Sequence, residues 1–160
     1  MKKTIVTAGL LLILSNFSMA QTQDASTTEK DAITVVQSFL DAVKEKSHAK
    51  ANVLLHPQIE WDQPGNNRTS GIKKTPDEVF KMFGIFFNIS AKTLNLTDVK
   101  VIAVYGNSVA CLLHWNAVQP TGKVLDVDNI DVYTIKDGKI IKVKIFSADI
   151  EKENDFWGHD

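Results

Sequence analysis

The chain has 160 residues, 44% of them hydrophobic and 23% charged, enough to bury one sizeable core as a single domain. Nineteen acidic against 18 basic side chains leave a net charge of −1, which offers no basic surface to nucleic acid or an anionic membrane. One cysteine, Cys111, excludes an intrachain disulfide, and its place in the apolar run 109–113 reads as a small buried hydrophobe.

Lys2 and Lys3 precede an apolar run from Ile5 to Leu14, and Ser18-Met19-Ala20 sets small residues just before Gln21. This is the pattern of a secretory signal peptide over residues 1–20, with an apolar run too short to span a bilayer. It predicts a periplasmic or secreted product that starts at Gln21 and makes no membrane contact after cleavage. Loss of Lys2 and Lys3 leaves 16 basic against 19 acidic side chains, a net charge of about −3.

Residues 21–30 are polar and read as a flexible leader to a domain over 31–160. From Asp31 to Lys46, Ile33, Val36, Leu40 and Val43, with Phe39 and Ala42 beside them, form one face of an amphipathic helix. Ser47 is placed to cap a short second helix through Ala51, Val53, Leu54 and Leu55, stopped by Pro57. Thr75-Pro76-Asp77-Glu78 supplies an N-cap, a first-turn proline and an acid at the third position. The helix it opens carries Val79, Met82, Phe83, Phe86 and Phe87 as a core face.

Four runs rich in Val, Ile and Thr follow, over 92–105, 108–119, 124–135 and 139–149. Gly106-Asn107, Pro120-Thr121-Gly122 and Asp137-Gly138 separate them, and Asp-Gly is a strong hairpin signal. Three helices followed by an antiparallel meander predict an α+β fold, a curved sheet wrapped on the helices. Alternation puts Asp131, Tyr133 and Ile135 on one face of their strand, the one expected to look into the concave side.

Two aspartates stand out, in Trp61-Asp62-Gln63-Pro64-Gly65 and in Ile130-Asp131-Val132-Tyr133. A carboxylate in a buried strand is costly unless something needs it there. These frames, with Ser70-Gly71, the Thr75-Pro76 helix start, Leu113-His114, the segment 132–140, Ala148-Asp149 and Asp155-Phe156-Trp157, resemble the SnoaL-like branch of the nuclear transport factor 2-like superfamily. That superfamily also holds ketosteroid isomerase and limonene epoxide hydrolase. The resemblance spans nearly the whole chain after residue 20. It implies a cone-like sheet enclosing a cavity, no cofactor, a small hydrophobic ligand and a homodimer formed through the outer sheet face.

Carried over residue by residue, the resemblance to ketosteroid isomerase puts Asp62 at the position of the general base. It puts Asp131 on the strand of the protonated oxyanion-hole acid, a carboxyl kept neutral by an apolar site. The third member, a tyrosine on the first helix, aligns with Phe39, which cannot donate a hydrogen bond. That departure argues against steroid isomerisation itself. His114, mid-strand beside Trp115, is the third candidate for chemistry, and Trp61, Phe39, Tyr133 and Phe83 are the candidate ligand-binding walls.

Each has a plainer reading. Asp62 would brace the Pro-Gly turn, Asp131 would be satisfied by Tyr133 or a neighbouring strand, and His114 would be hydrogen-bonded in the sheet. The four histidines lack the spacing of a metal site, and no phosphate-binding glycine loop or nucleophile elbow occurs. Two classes remain: a cofactor-independent acid–base enzyme (isomerase, cyclase or hydrolase type) on a small hydrophobic substrate, or a non-catalytic periplasmic ligand-binding or dimerisation module. They separate on whether Asp62, Asp131 and His114 converge on one cavity.

Overall fold

A computed structural model describes residues 13–159, with side chains from Thr27 onward. Most of the signal segment, Met1 to Leu12, therefore lies outside the described residues. The first helix, α1 (Ile13–Lys44), begins far ahead of Asp31. The polar segment 21–30 is thus helical rather than a loose leader, because it contains no proline or glycine to stop a helix entering from either side. Among the described residues, no helix is long and apolar enough to cross a membrane.

The chain turns at Lys46, which takes a left-handed conformation (φ 56°), into α2 (His48–Asn52). Ser47 precedes α2 in extended geometry, but its hydroxyl makes no capping bond. The helix does not reach Leu55. That residue opens strand β1 (Leu55–Gln63), and Pro57 sits inside the strand, where the register with its neighbour shifts between Leu55 and Glu60. A proline has no N–H to offer a ladder, so an irregular stretch is where a strand accepts one.

β1 folds back on the short β2 (Gly71–Lys73), and α3 (Pro76–Ile89) follows. The capping residues act as the sequence indicates. The Thr75 hydroxyl accepts from Glu78 N at 3.2 Å, and the Glu78 carboxylate accepts from Lys74 N at 2.6 Å.

The strands β3 (Asn95–Tyr105), β4 (Ser108–Val118), β5 (Val124–Lys136) and β6 (Lys139–Ser147) form the expected meander. Asp137 and Gly138, both at positive φ (51° and 71°), make the tight turn between β5 and β6. The sheet order is β2-β1-β6-β5-β4-β3. It is mixed rather than wholly antiparallel, because β1 and β6 run parallel. After β1 the chain crosses to the far edge through β2 and α3, and three hairpin reversals return β6 alongside β1 in the same direction.

A fourth helix that the sequence reading left out, α4 (Ile150–Trp157), closes the fold, with the Asp149 side chain accepting from Lys152 N at 3.0 Å. Asn154 pins it to the β1–β2 loop, where its Oδ1 accepts from Asn66 N and Asn67 Nδ2, both at 3.0 Å. A side chain at Gly65 would collide with that oxygen. Leu125, Val127, Asn129, Asp131, Tyr133 and Ile135 of β5 face the covered side and are buried, whereas Asp126, Asp128 and Ile130 face solvent. Cys111 is fully buried, as expected.

Candidate ligand cavity

A cavity lies between the concave sheet face and helices α1, α3 and α4. Its space open to the centre of a water molecule is about 40 Å³. An unbroken aromatic belt forms much of its wall. Tyr133 lies 6.2 Å from Phe39 between ring centres, Phe39 6.1 Å from Trp61, Trp61 5.6 Å from Phe83, Phe83 6.1 Å from Phe86, and Phe86 4.4 Å from Trp157. These rings come from five elements, and each turns inward by the period of its own element. The four predicted wall residues, Trp61, Phe39, Tyr133 and Phe83, all line this cavity.

Polar groups in the lining are few, and Asp131, Asn129 and Glu153 stand near one another. Asp131 is 3% exposed, and its Oδ2 accepts from the Tyr133 hydroxyl at 3.0 Å. Its Oδ1 is buried with no hydrogen-bond partner. Burial, opposed by the Tyr133 hydrogen bond and assisted by the nearby Glu153 carboxyl, pushes the Asp131 carboxyl up to about 7. Glu153, on α4, is a second buried carboxyl whose pKa burial raises. With its amide nitrogen facing Glu153, Asn129 donates to Glu153 Oε1 at 3.1 Å and to the Asp128 carbonyl at 2.8 Å. Gln63 holds the Trp61 indole N–H at 3.2 Å.

The three residues proposed for chemistry do not converge. Asp131 lines the cavity, but Asp62 and His114 do not. Asp62 alternates with the inward Trp61 and Gln63, so it projects from the convex face, 3.9 Å from Lys144 Nζ. His114 alternates with the inward Leu113 and stands on the same convex face, 2.7 Å from Asp128 and 3.1 Å from Asp126. Those contacts, led by the Asp128 hydrogen bond, raise its pKa. The misplacement of Asp62 is one of parity: a one-residue difference in register sends a side chain through the sheet.

The same parity identifies residues that the sequence reading passed over. Gln63 shares the face of Trp61, and Asn129 that of Asp131. Glu153 carried a weaker signal, three and four positions ahead of Phe156 and Trp157 on one helix face. Tyr133, two residues beyond the acid on the same strand, donates its hydroxyl hydrogen to Asp131.

The model of the SnoaL-like domain matches residues 36–143. A protein of unknown function with a cystatin-like fold from Xanthomonas campestris superposes with a TM-score of 0.75 at 30% identity, over 80% of this chain and 98% of that one. TerC, co-crystallised with polyporic acid, superposes at 0.70 with 15% identity, over 79% and 98% of the two chains. A candidate SnoaL-like polyketide cyclase from Jannaschia sp. CCS1 superposes at 0.67 with 14% identity, over 83% and 96%. No curated protein matches the chain.

Proposed function

Since the chain belongs to the SnoaL-like family, we propose that it binds a small, largely apolar molecule carrying a carbonyl oxygen, and that Asp131 holds the proton directed at that oxygen. The unpartnered, buried Oδ1 of Asp131 in an aromatic cavity carries this reading. An isolated polar atom there is costly, and a ligand acceptor would satisfy it. The aromatic belt selects apolar ligands by excluding water, and that exclusion keeps Asp131 mostly protonated below about pH 7.

A proton beside a carbonyl is removed most easily when a donor meets the developing oxyanion and a base meets the carbon. Asp131 fits the donor role. Glu153 fits the base, because the Asn129 amide favours its charged form while Asp131 has only the Tyr133 hydroxyl. Ring closure of a polyketide, the activity for which the Jannaschia protein is a candidate, calls for the same proton movement. The second reading, a binding module without catalysis, draws on Phe39, which leaves α1 with no donor facing Tyr133.

The test uses 4-methylcyclohexanone, followed by calorimetry between pH 5.5 and 8.5 and by NMR of α-proton exchange in deuterated buffer. Binding should weaken as pH rises through about 7, and Asp131→Asn, which keeps a donor, should flatten that dependence. Exchange above the buffer rate that is lost in Glu153→Gln, with binding retained, supports the enzyme. No exchange with pH-dependent binding supports the module, and pH-independent binding overturns the role of Asp131.

The proposal extends to location and assembly. Residues 1–20 direct export, which mass spectrometry of the exported product would test by its first residue. The convex face pairs two copies: Leu112, Ile130 and Phe146 lie in one cross-strand row, with Ile130 39% and Phe146 51% exposed. A monomer in sedimentation at micromolar concentration would oppose the dimer.

A further inference from the structure

A second hollow lies outside the first, between α1, α2 and α3, with about 240 Å³ open to the centre of a water molecule. Its lining is mostly apolar, with the half-buried rings of Phe80 and Phe87 and the buried Ala51 among its walls. Val43 and Phe83 line both spaces, so these two side chains stand between the outer hollow and the inner cavity.

Gly84 makes this hollow more than an accident of packing. It sits in the middle of α3, where glycine weakens a helix relative to alanine. Its backbone is not left-handed, and a Cβ there would meet nothing within 4 Å. Neither backbone geometry nor close approach requires glycine at this position. What its missing side chain provides is space in the hollow.

We infer that the hollow between α1, α2 and α3 holds the apolar tail of the same ligand whose carbonyl head reaches Asp131. The inference rests on the proposed function and narrows its substrate class to a small carbonyl-bearing head with an alkyl chain of several carbons attached. The outer hollow is the larger of the two spaces, so it takes the part of such a molecule that extends beyond the head. Its apolar lining contributes binding in proportion to the methylenes covered.

A series of 4-alkylcyclohexanones, from methyl to hexyl, tests this at pH 6 by calorimetry. Affinity for the wild-type chain should rise by up to about fourfold per added methylene beyond ethyl. Gly84→Leu should fill the hollow and abolish that rise, leaving 4-methylcyclohexanone within twofold of wild type. Gly84→Ala should keep most of the rise, separating loss of space from a change in the helix. A rise that survives in Gly84→Leu, or one absent from wild type, overturns the tail site.

The head is read separately, through the pH dependence of 4-methylcyclohexanone. If that dependence is missing while the chain-length effect and its loss in Gly84→Leu persist, the role of Asp131 fails and the tail site stands. The converse result removes the tail site alone. No binding of any member at millimolar concentration overturns both. If Gly84→Leu changes the sedimentation coefficient but not the affinities, a second copy covers the hollow and the tail site is wrong.

Discussion

The two faces of the sheet carry similar residue types and do different things with them. On the convex side of β5, Asp126 and Asp128 meet His114, while neighbouring strands set Glu60 against Lys142 at 2.7 Å and Asp62 near Lys144. Each of those acids has a basic partner and contact with water. On the concave side Asp131 has neither: one oxygen takes the Tyr133 hydroxyl and the other nothing. Three positions along one strand separate a solvated ion pair from a carboxyl that titrates near neutrality. Burial, rather than residue identity, gives the inner aspartate its chemistry.

The largest expected consequence is a stability that falls as pH rises. Asp131 has a folded-state pKa of about 7 against 3.8 for the unconstrained side chain. Between those values the folded chain holds a proton that the unfolded chain has released, so stability declines from about pH 4 to about pH 7 and then levels off. The shift corresponds to roughly 4 kcal/mol. Denaturant unfolding at one-unit pH intervals should show this loss in the wild type and much less of it in Asp131→Asn. Glu153, raised in the same direction, leaves a residual slope of the same sign. An unchanged slope in Asp131→Asn would mean that Asp131 does not titrate in this window.

Next in size is Tyr133→Phe, which leaves Asp131 Oδ2 without its donor and should cost about 1–3 kcal/mol. Because the Tyr133 hydrogen bond favours the charged carboxylate, its loss should move the Asp131 pKa further upward. Destabilisation measured at pH 8 should therefore exceed that at pH 5. Equal losses at both pH values would point to packing alone.

How much of this was legible in the sequence depended on whether a feature is local. Capping at Thr75, the Asp137-Gly138 turn and the inward face of Asp131 and Tyr133 follow from neighbouring residues, and the structure has them. The aromatic walls at Phe39, Trp61 and Phe83 were legible because large apolar side chains on a periodic face have few other places to go. Asp62 and His114 misled because chemical type was weighed ahead of parity: each has a strand neighbour, Trp61 or Leu113, that fixes the opposite face. The parallel pairing of β1 with β6 and the arrival of Glu153 over the sheet are long-range outcomes of chain path, and no short window contains them.

A smaller effect bears on the outer hollow between α1, α2 and α3. Gly84→Ala should stabilise α3 by about 1 kcal/mol, since the backbone is already helical and the added methyl meets no atom. Thermal unfolding at pH 6 would read it as a higher midpoint. A destabilised variant would show that the fold itself needs glycine there, and the hollow would lose its argument from Gly84.

The smallest expected effects belong to the convex face. Asp62→Asn and His114→Gln alter side chains that do not line the cavity, so each should bind 4-methylcyclohexanone within twofold of wild type. His114 also has a linkage signature opposite in origin to that of Asp131. It gains acidic partners on folding, so its raised pKa stabilises the chain at low pH, and this contribution is lost as pH rises through the folded-state value. Solvent exposure keeps it small, and salt should screen it further, whereas the Asp131 slope, set by burial, should persist at 0.5 M salt or about that concentration. Unfolding curves for His114→Gln at low and high salt separate the two contributions. If Asp62→Asn instead weakened binding strongly, the inside and outside of the sheet would be wrongly assigned at β1, and the base would return to the position that the sequence resemblance indicated.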